Sequence, residues 1–350
     1  MDIASLLSIA AAITFLGATL YSANLDEMEQ QPFKRSRWLL YAACGVTFLF
    51  ALFILQAWLL SRAELDSAVQ RELGVPRIET PAAFAGILLC LGGAGLGFWV
   101  ITQRQARLFV QRLTGSGTFN PDSTVHAAAV VLSLAIVCTN LAQLILSGGI
   151  SGIAENVEPG TNFIGSALFQ QILWIVAGLL GVGLFLRRSP SQAAERLGLR
   201  VPLADDIFGG LSVGGIMLAF IFVLAAIWAG SVSPETFAEQ TAASSQITNA
   251  LNTLPAALLI SLAVALGEEL FFRGAMQPVF GLGLTSLFFV LLHTQYTLTP
   301  ASLGILVLSF ALGWLRQRQS TTAAIIAHFV YNFIQLALAI FASNLMGGMN

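Results

Sequence analysis

The chain has 350 residues, of which 56% are hydrophobic and only 10% are charged. Soluble globular domains average about 25% charged residues, so this composition excludes an ordinary soluble protein and indicates one embedded in the lipid bilayer. The formal net charge of −2 offers no basic surface of the kind that binds nucleic acid, so nucleic acid is not expected as a partner.

Apolar runs long enough to cross a bilayer follow one another along the chain. They predict an all-α polytopic transmembrane helical bundle of about ten spans, each of about 20 residues. The predicted spans are residues 3–22, 38–60, 82–102, 124–147, 164–186, 209–230, 254–280, 283–298, 300–316 and 320–345. The first run follows Met1-Asp2 without a positive segment before it, which favours a transmembrane helix over a cleaved signal peptide.

Lys and Arg are concentrated in the loops 23–37, 103–123, 187–208 and 316–319, which fall on one side of a ten-span bundle. Basic loops stay in the cytoplasm, so both termini are expected outside. The loop 61–81 breaks this bias because it carries three arginines on the other side. We expect an integral protein of a bacterial plasma membrane, and no oligomeric state is predicted.

Ionisable residues inside the spans divide the chain into two parts. The first six spans hold no acidic residue well inside the membrane, whereas nearly every strong intramembrane ionisable group follows residue 260. We therefore predict an N-terminal module of about four spans at residues 1–160 and a second module of about six spans at residues 161–350.

Two adjacent carboxylates, Glu268 and Glu269, lie with Arg273 inside the seventh predicted span. Charged groups at the bilayer centre cost about 2.5–3.5 kcal/mol or more, so they generally mark functional sites. Glu269 and Arg273 are four residues apart and share a helix face, which predicts an ion pair. Glu268 then points about 100° away and is free for chemistry. A purely structural role for the Glu269–Arg273 pair stays open.

Side chains on two other spans fall at the depth of Glu268. Gly281-Leu282-Gly283 predicts a tight turn between the seventh and eighth spans. Along antiparallel helices, Glu268 and His293 lie about 21 and 17 Å from this turn. His328 lies about 14 Å from the same side, with Asn332 one helical turn further on. A common cavity that opens toward the cytoplasm is therefore expected for these four residues.

A carboxylate, two imidazoles and a carboxamide in a wet pocket suit hydrolysis. In one route His293 and His328 bind a divalent metal, zinc, with Glu268 as ligand or general base. In a metal-free route Glu268 activates water while His328 and Asn332 stabilise the oxyanion. The spacing does not choose between the routes, and the H-E-x-x-H signature of soluble zinc proteases does not occur. His126 begins the fourth span and is predicted to be non-catalytic.

Three motifs on successive spans resemble those of the CPBP family, which groups type II CAAX prenyl endopeptidases with bacteriocin-processing and immunity-associated proteins. The motifs are Glu268-Glu269-x-x-x-Arg273, Phe289-x-x-x-His293 and His328-x-x-x-Asn332. The resemblance covers roughly residues 164–345. It implies an intramembrane metalloprotease in which Glu268 activates the water, His293 and His328 complete the catalytic centre, Asn332 assists, and Glu269 and Arg273 take a supporting role.

The leading hypothesis is an intramembrane endopeptidase that cleaves a peptide or a membrane protein at the cytoplasmic side, with a prenylated CAAX tail as one candidate substrate. A non-proteolytic scaffold or a bacteriocin-immunity protein would keep the fold but tolerate substitutions at the site. An ion-coupled transporter would also place carboxylates and histidines inside helices. Transporters often contain inverted repeats, and none is found in this sequence.

Overall fold

The computed structural model describes residues 3–62, 78–115, 118–147, 163–238, 241, 251–294 and 299–347. These ranges form helices joined by turns, which confirms the predicted all-α membrane bundle. The helices are α1 (Ile3–Met28), α2 (Ser36–Arg62), α3 (Thr80–Thr102), α4 (Arg104–Thr114), α5 (Thr124–Leu146), α6 (Phe163–Gly181), α7 (Pro190–Leu197), α8 (Ala204–Ser231), α9 (Leu254–Glu269), α10 (Gln277–Leu292), α11 (Pro300–Arg318) and α12 (Thr321–Gly347), with a π-helical segment, Leu270–Met276, between α9 and α10.

Seven helical stretches of the described residues are long and apolar enough to cross a membrane. They are Ser36–Arg62, Thr80–Thr102, Thr124–Leu146, Ile164–Gly181, Ala204–Ser231, Leu254–Leu292 and Thr321–Leu345. The stretch Leu254–Leu292 contains the seventh predicted span and most of the eighth. Helices α1 and α11 coincide with the first and ninth predicted spans but are not among the seven, so the predicted count of ten is approximate.

A reversal at Gly281, inside the range given for α10, divides the stretch Leu254–Leu292 into two antiparallel parts, residues 254–280 and 282–292. Gly281 has φ +76° and ψ 169°, a conformation open to glycine because it has no Cβ atom. His293 follows Glu268 by 25 residues, and one straight helix would separate them by about 37 Å. Nε2 of His293 instead lies 3.9 Å from Oε2 of Glu268. The predicted turn is therefore present.

The loops lie at two ends of the bundle. One end, here named the basic end, gathers the turn at Gly281 and the loop residues 29–35, 118–123, 182–203 and 319–320. Contacts connect these segments: Arg187 pairs with Glu27, and the backbone N–H of Thr321 donates to the carbonyl of Gly198 at 3.0 Å. The predicted grouping of basic loops on one side is thus found. Most of the exceptional loop 61–81 lies outside the described residues.

The two predicted modules pack against each other. Ala177 of α6 belongs to the same hydrophobic cluster as Leu20 of α1 and Val131 of α5. Phe119, before α5, packs against Phe280 of α10 with ring centroids 5.7 Å apart. The proposed boundary near residue 160 lies outside the described residues, and the division into modules stays a prediction.

Candidate active site

The helix that carries the two glutamates changes its geometry immediately after them. Residues Leu270–Met276 form a π-helix, with Glu269 as the last residue of α9. Stretches of π-helix are rare in proteins, and those that occur are frequently found at functional sites.

Glu269 is fully buried and holds two neighbouring side chains. Its Oε2 atom lies 3.2 Å from Nε of Arg273, which is the predicted pairing of residues four apart. Its Oε1 atom lies 2.9 Å from Nδ1 of His328 on α12, a contact that the sequence did not predict. Nη2 of Arg273 also donates to Oγ of Ser309 at 3.3 Å. One carboxylate therefore joins three helical segments at the depth of the site.

The contact with Glu269 orients the ring of His328. An ionised carboxylate can only accept hydrogen bonds, so Nδ1 of His328 carries a hydrogen. The other ring nitrogen, Nε2, takes no part in this contact and faces away from Glu269. His328 is only 3% exposed, so this orientation is held in a buried position.

Glu268 faces His293 across a gap. Oε2 of Glu268 lies 3.9 Å from Nε2 of His293, which is too long for a direct hydrogen bond. Nδ1 of His293 lies 2.7 Å from the carbonyl oxygen of Phe289 and must donate to it, so Nε2 of the neutral ring is an acceptor. Two acceptors that face each other are satisfied by a molecule that donates twice, and water is such a molecule.

One cavity of about 450 Å³ is lined by Glu268, His293, His328 and Asn332. The four side chains come from α9, the end of α10 and α12, so the structure brings the predicted site residues together. Phe289 lies between the two imidazoles, with its ring centroid 4.4 Å from that of His293 and 6.3 Å from that of His328. The other polar side chains of the lining are Gln170, Gln171, Ser261, Tyr331 and Gln335.

The cavity extends away from the basic end. Along α12 its lining runs from His328 to Ala339, about 16 Å further from the basic end. On the basic side of Glu268 the interior is filled by Arg273 and by Gln277, whose Nε2 donates to the carbonyl of Gly313 at 2.8 Å. The sequence placed both the basic loops and the cavity opening in the cytoplasm. The lining of the cavity extends toward the end opposite the basic loops, and the side of the membrane to which the cavity opens stays a prediction.

A comparison with known protein families finds a match to the segment of the chain that carries the site. Residues 250–334 match the family described as type II CAAX prenyl endopeptidase Rce1-like. This confirms the resemblance to type II CAAX prenyl endopeptidases, and the matched range includes all three motifs. The Rce1-like match implies a hydrolase of the protease class within a membrane-spanning helical protein. Comparison with curated proteins gives no match, and neither does comparison with solved structures.

The predicted zinc ligands of this Rce1-like segment do not form a metal centre as they are arranged. Among the described residues, no three His, Cys, Asp or Glu side chains are grouped closely enough to bind a metal ion. Catalytic zinc sites ordinarily have three protein ligands. His293, His328 and Glu268 line one cavity but are not gathered around one point, so zinc stays a prediction from the sequence.

Two buried polar residues of the cavity were not singled out as site residues by the sequence. Gln171 of α6 is 3% exposed and Ser261 of α9 is fully buried. Within the described part of the chain, Oε1 of Gln171 and Oγ of Ser261 have no hydrogen-bond partner. Ser261 lies about two helical turns before Glu268 and therefore on the same face of α9, which is a signal in the sequence that could have identified it as a site residue. Gln171 carries no such signal because α6 lies far from the motifs in sequence.

Proposed function

We propose that this protein is an intramembrane endopeptidase in which Glu268 activates a water molecule to hydrolyse a peptide bond. The observation that carries the proposal is the gap between Glu268 and His293, where two acceptors 3.9 Å apart face a cavity of about 450 Å³. A water that donates to both atoms keeps its lone pairs toward the cavity. The Rce1-like match supports peptide hydrolysis as the reaction.

In the proposed reaction, Glu268 takes a proton from this water while the oxygen attacks the carbonyl carbon of the peptide bond. The carbonyl oxygen becomes an oxyanion, to which the amide of Asn332 and the Nε2 hydrogen of a protonated His328 donate. Buried Glu269 stabilises the charge on that imidazolium through its bond to Nδ1. The intermediate then collapses, and Glu268 returns the proton to the departing amine nitrogen, which leaves a carboxyl and an amine product.

The unpartnered polar atoms of the cavity supply contacts for the substrate. An extended peptide presents backbone N–H and C=O groups that must be hydrogen-bonded once they leave water. We assign Oε1 of Gln171 as an acceptor and Oγ of Ser261 as a donor or acceptor for such groups. The substrate is thus an unfolded segment of a peptide or membrane protein, and a prenylated C-terminal tail is one candidate.

The orientation in the membrane follows from the basic loops. With the basic end in the cytoplasm, as the charge rule requires, the cavity extends toward the opposite face of a bacterial plasma membrane. This proposal replaces the cytoplasmic opening expected from the sequence.

The proposal is tested with purified protein and a panel of fluorogenic peptides, some farnesylated at a C-terminal CAAX sequence and some not. Glu268→Gln and His328→Ala should each lower the cleavage rate at least about a hundredfold, the range for loss of general-base or oxyanion groups. Glu195→Gln is the matched control because Glu195 is an exposed carboxylate outside the cavity. Full cleavage by Glu268→Gln would overturn the assigned role. Absence of any cleavage by wild-type protein across the panel would favour the non-proteolytic scaffold.

A further inference from the structure

A second cavity, of about 140 Å³, lies between the two predicted modules near the basic end. One wall comes from α1 and α5, and the other comes from α6, the loop 182–188, α7 and the segment 271–288. The family match begins at residue 250 and covers neither α1, α5, α6 nor the loop 182–188. Of its walls, the match includes only the segment 271–288, and no residue of its lining also lines the cavity of Glu268, so it is separate from the candidate active site and does not depend on the proposed function.

Three arginines line the cavity at the basic end: Arg187, Arg188 and Arg196. Arg187 is neutralised by Glu27. Arg188 and Arg196 donate instead to backbone carbonyls, those of Val182 and Gly274 respectively. Among the described residues, neither Arg188 nor Arg196 forms an ion pair with a carboxylate. Two half-buried positive charges thus lack a counter-charge.

The surroundings of these arginines favour an anion. Burial, and then the nearby charges of Arg188, Arg316 and Arg187, lower the pKa of the Arg196 guanidinium. His126 also lines the cavity, and its Nδ1 accepts from the backbone N–H of Asn120 at 3.0 Å. Nε2 of the neutral ring therefore keeps its hydrogen and is a further donor. No side chain of the lining is a carboxylate.

The rest of the cavity is apolar and runs toward the middle of the bundle. Along α5 the lining continues from His126 to Ile136, a length of about 15 Å. Leu16, Leu132 and Phe288 contribute to this part. A strip of donors at the basic end with an apolar channel below it matches an amphiphile that has an anionic head and a hydrocarbon chain.

We propose that this cavity binds an anionic phospholipid from the leaflet at the basic end. Arg188 and Arg196 hold the phosphate, and the first part of one acyl chain lies against α5 while the rest remains in the bilayer. Guanidinium groups suit this task because their planar N–H fork matches phosphate oxygens. The lipid would thereby connect the N-terminal module to the Rce1-like segment.

The test measures lipid binding to detergent-purified full-length protein by native mass spectrometry and by thermal unfolding. Dioleoyl phosphatidylglycerol should leave one tightly held adduct and raise the unfolding temperature more than dioleoyl phosphatidylcholine, which has the same chains but a zwitterionic head. Arg196→Gln and Arg188→Gln should each weaken this binding about tenfold, the size expected for one charged hydrogen bond. Arg112→Gln should leave the binding unchanged, because Arg112 is exposed on α4 at the same end and does not line the cavity.

Two further arms test the apolar part. Ala129→Phe fills the cavity from α5 and should weaken phosphatidylglycerol binding, although every arginine stays in place. Inorganic phosphate alone should stabilise the protein much less than the lipid does. Equal stabilisation by phosphate, equal binding of both lipids, or equal losses in Arg112→Gln and Arg196→Gln would each overturn the proposal.

Discussion

Glutamine in place of Glu269 should destabilise the bundle far more than glutamine in place of its neighbour Glu268. Both side chains are carboxylates on adjacent residues of α9, but their partners differ. Glu269 contacts both Arg273 at 3.2 Å and His328 at 2.9 Å. Oε2 of Glu268 has no hydrogen-bond partner among the described residues. The same substitution therefore removes a buried pair in one case and a lone buried charge in the other.

The expected changes in the free energy of unfolding follow from how deeply the charged side chains are buried. Arg273 is 1% exposed, so Glu269→Gln leaves its charge buried without its ion-pair partner. Breaking a buried pair in this way costs about 3–5 kcal/mol, which lowers the folding equilibrium constant by about two to four powers of ten. Glu268→Gln breaks no such pair and should change the free energy of unfolding by less than about 1 kcal/mol. Cleavage, in contrast, should be lost in Glu268→Gln.

Equilibrium unfolding in mixed micelles of dodecyl maltoside and sodium dodecyl sulfate measures these free energies. A double variant, Glu269→Gln with Arg273→Met, removes both members of the ion pair and should regain most of the lost stability, since neither member is left buried without the other. Glu195→Gln serves as the exposed control. The reasoning is refuted if Glu269→Gln is as stable as wild-type protein, or if the double variant is no more stable than Glu269→Gln.

Three further outcomes are expected. Gly281→Ala should lower the unfolding free energy by about 1–2 kcal/mol because of the φ of +76° at this position. Gly283→Ala should be tolerated because open space surrounds that position; equal effects in the unfolding assay would contradict the assigned reversal. In a cysteine-free background, Ala301→Cys and Arg318→Cys should react with an impermeant maleimide from opposite faces of sealed vesicles; labelling from one face would disprove the described direction of the cavity. Metal analysis of active enzyme should find substoichiometric zinc, and chelation should leave the cleavage rate within about twofold; a stoichiometric, required metal would replace the metal-free reaction with the zinc route.

The depth of the site could be predicted from the sequence because helical rise converts residue spacing into height. The glycines at 281 and 283 predicted the reversal, and similar distances from it placed Glu268 opposite His293. The ion pair of Glu269 with Arg273 could likewise be predicted from the spacing of the two residues along one helix. These features depend on one or two helices and on local geometry alone.

The features that the sequence did not reveal depend on how several helices pack. The bond between Glu269 and His328 joins α9 to α12 and requires a particular rotation of each helix. The direction of the cavity depends on which interior spaces are filled, and Gln277 and Arg273 fill the basic side. The π-helical segment is a local change of hydrogen bonding, and a propensity for it is not readable from Leu270–Met276.

The order of the site residues along the chain has a consequence for biosynthesis. Glu269 and Arg273 neutralise each other within one helix as soon as it forms, so the charges can enter lipid before the rest of the bundle exists. His328 and Asn332 lie on α12, the last of the described helices to leave the ribosome. Under the proposed reaction, a nascent chain therefore carries the carboxylate that activates water before it carries the oxyanion donors, and cleavage of a substrate requires the finished assembly.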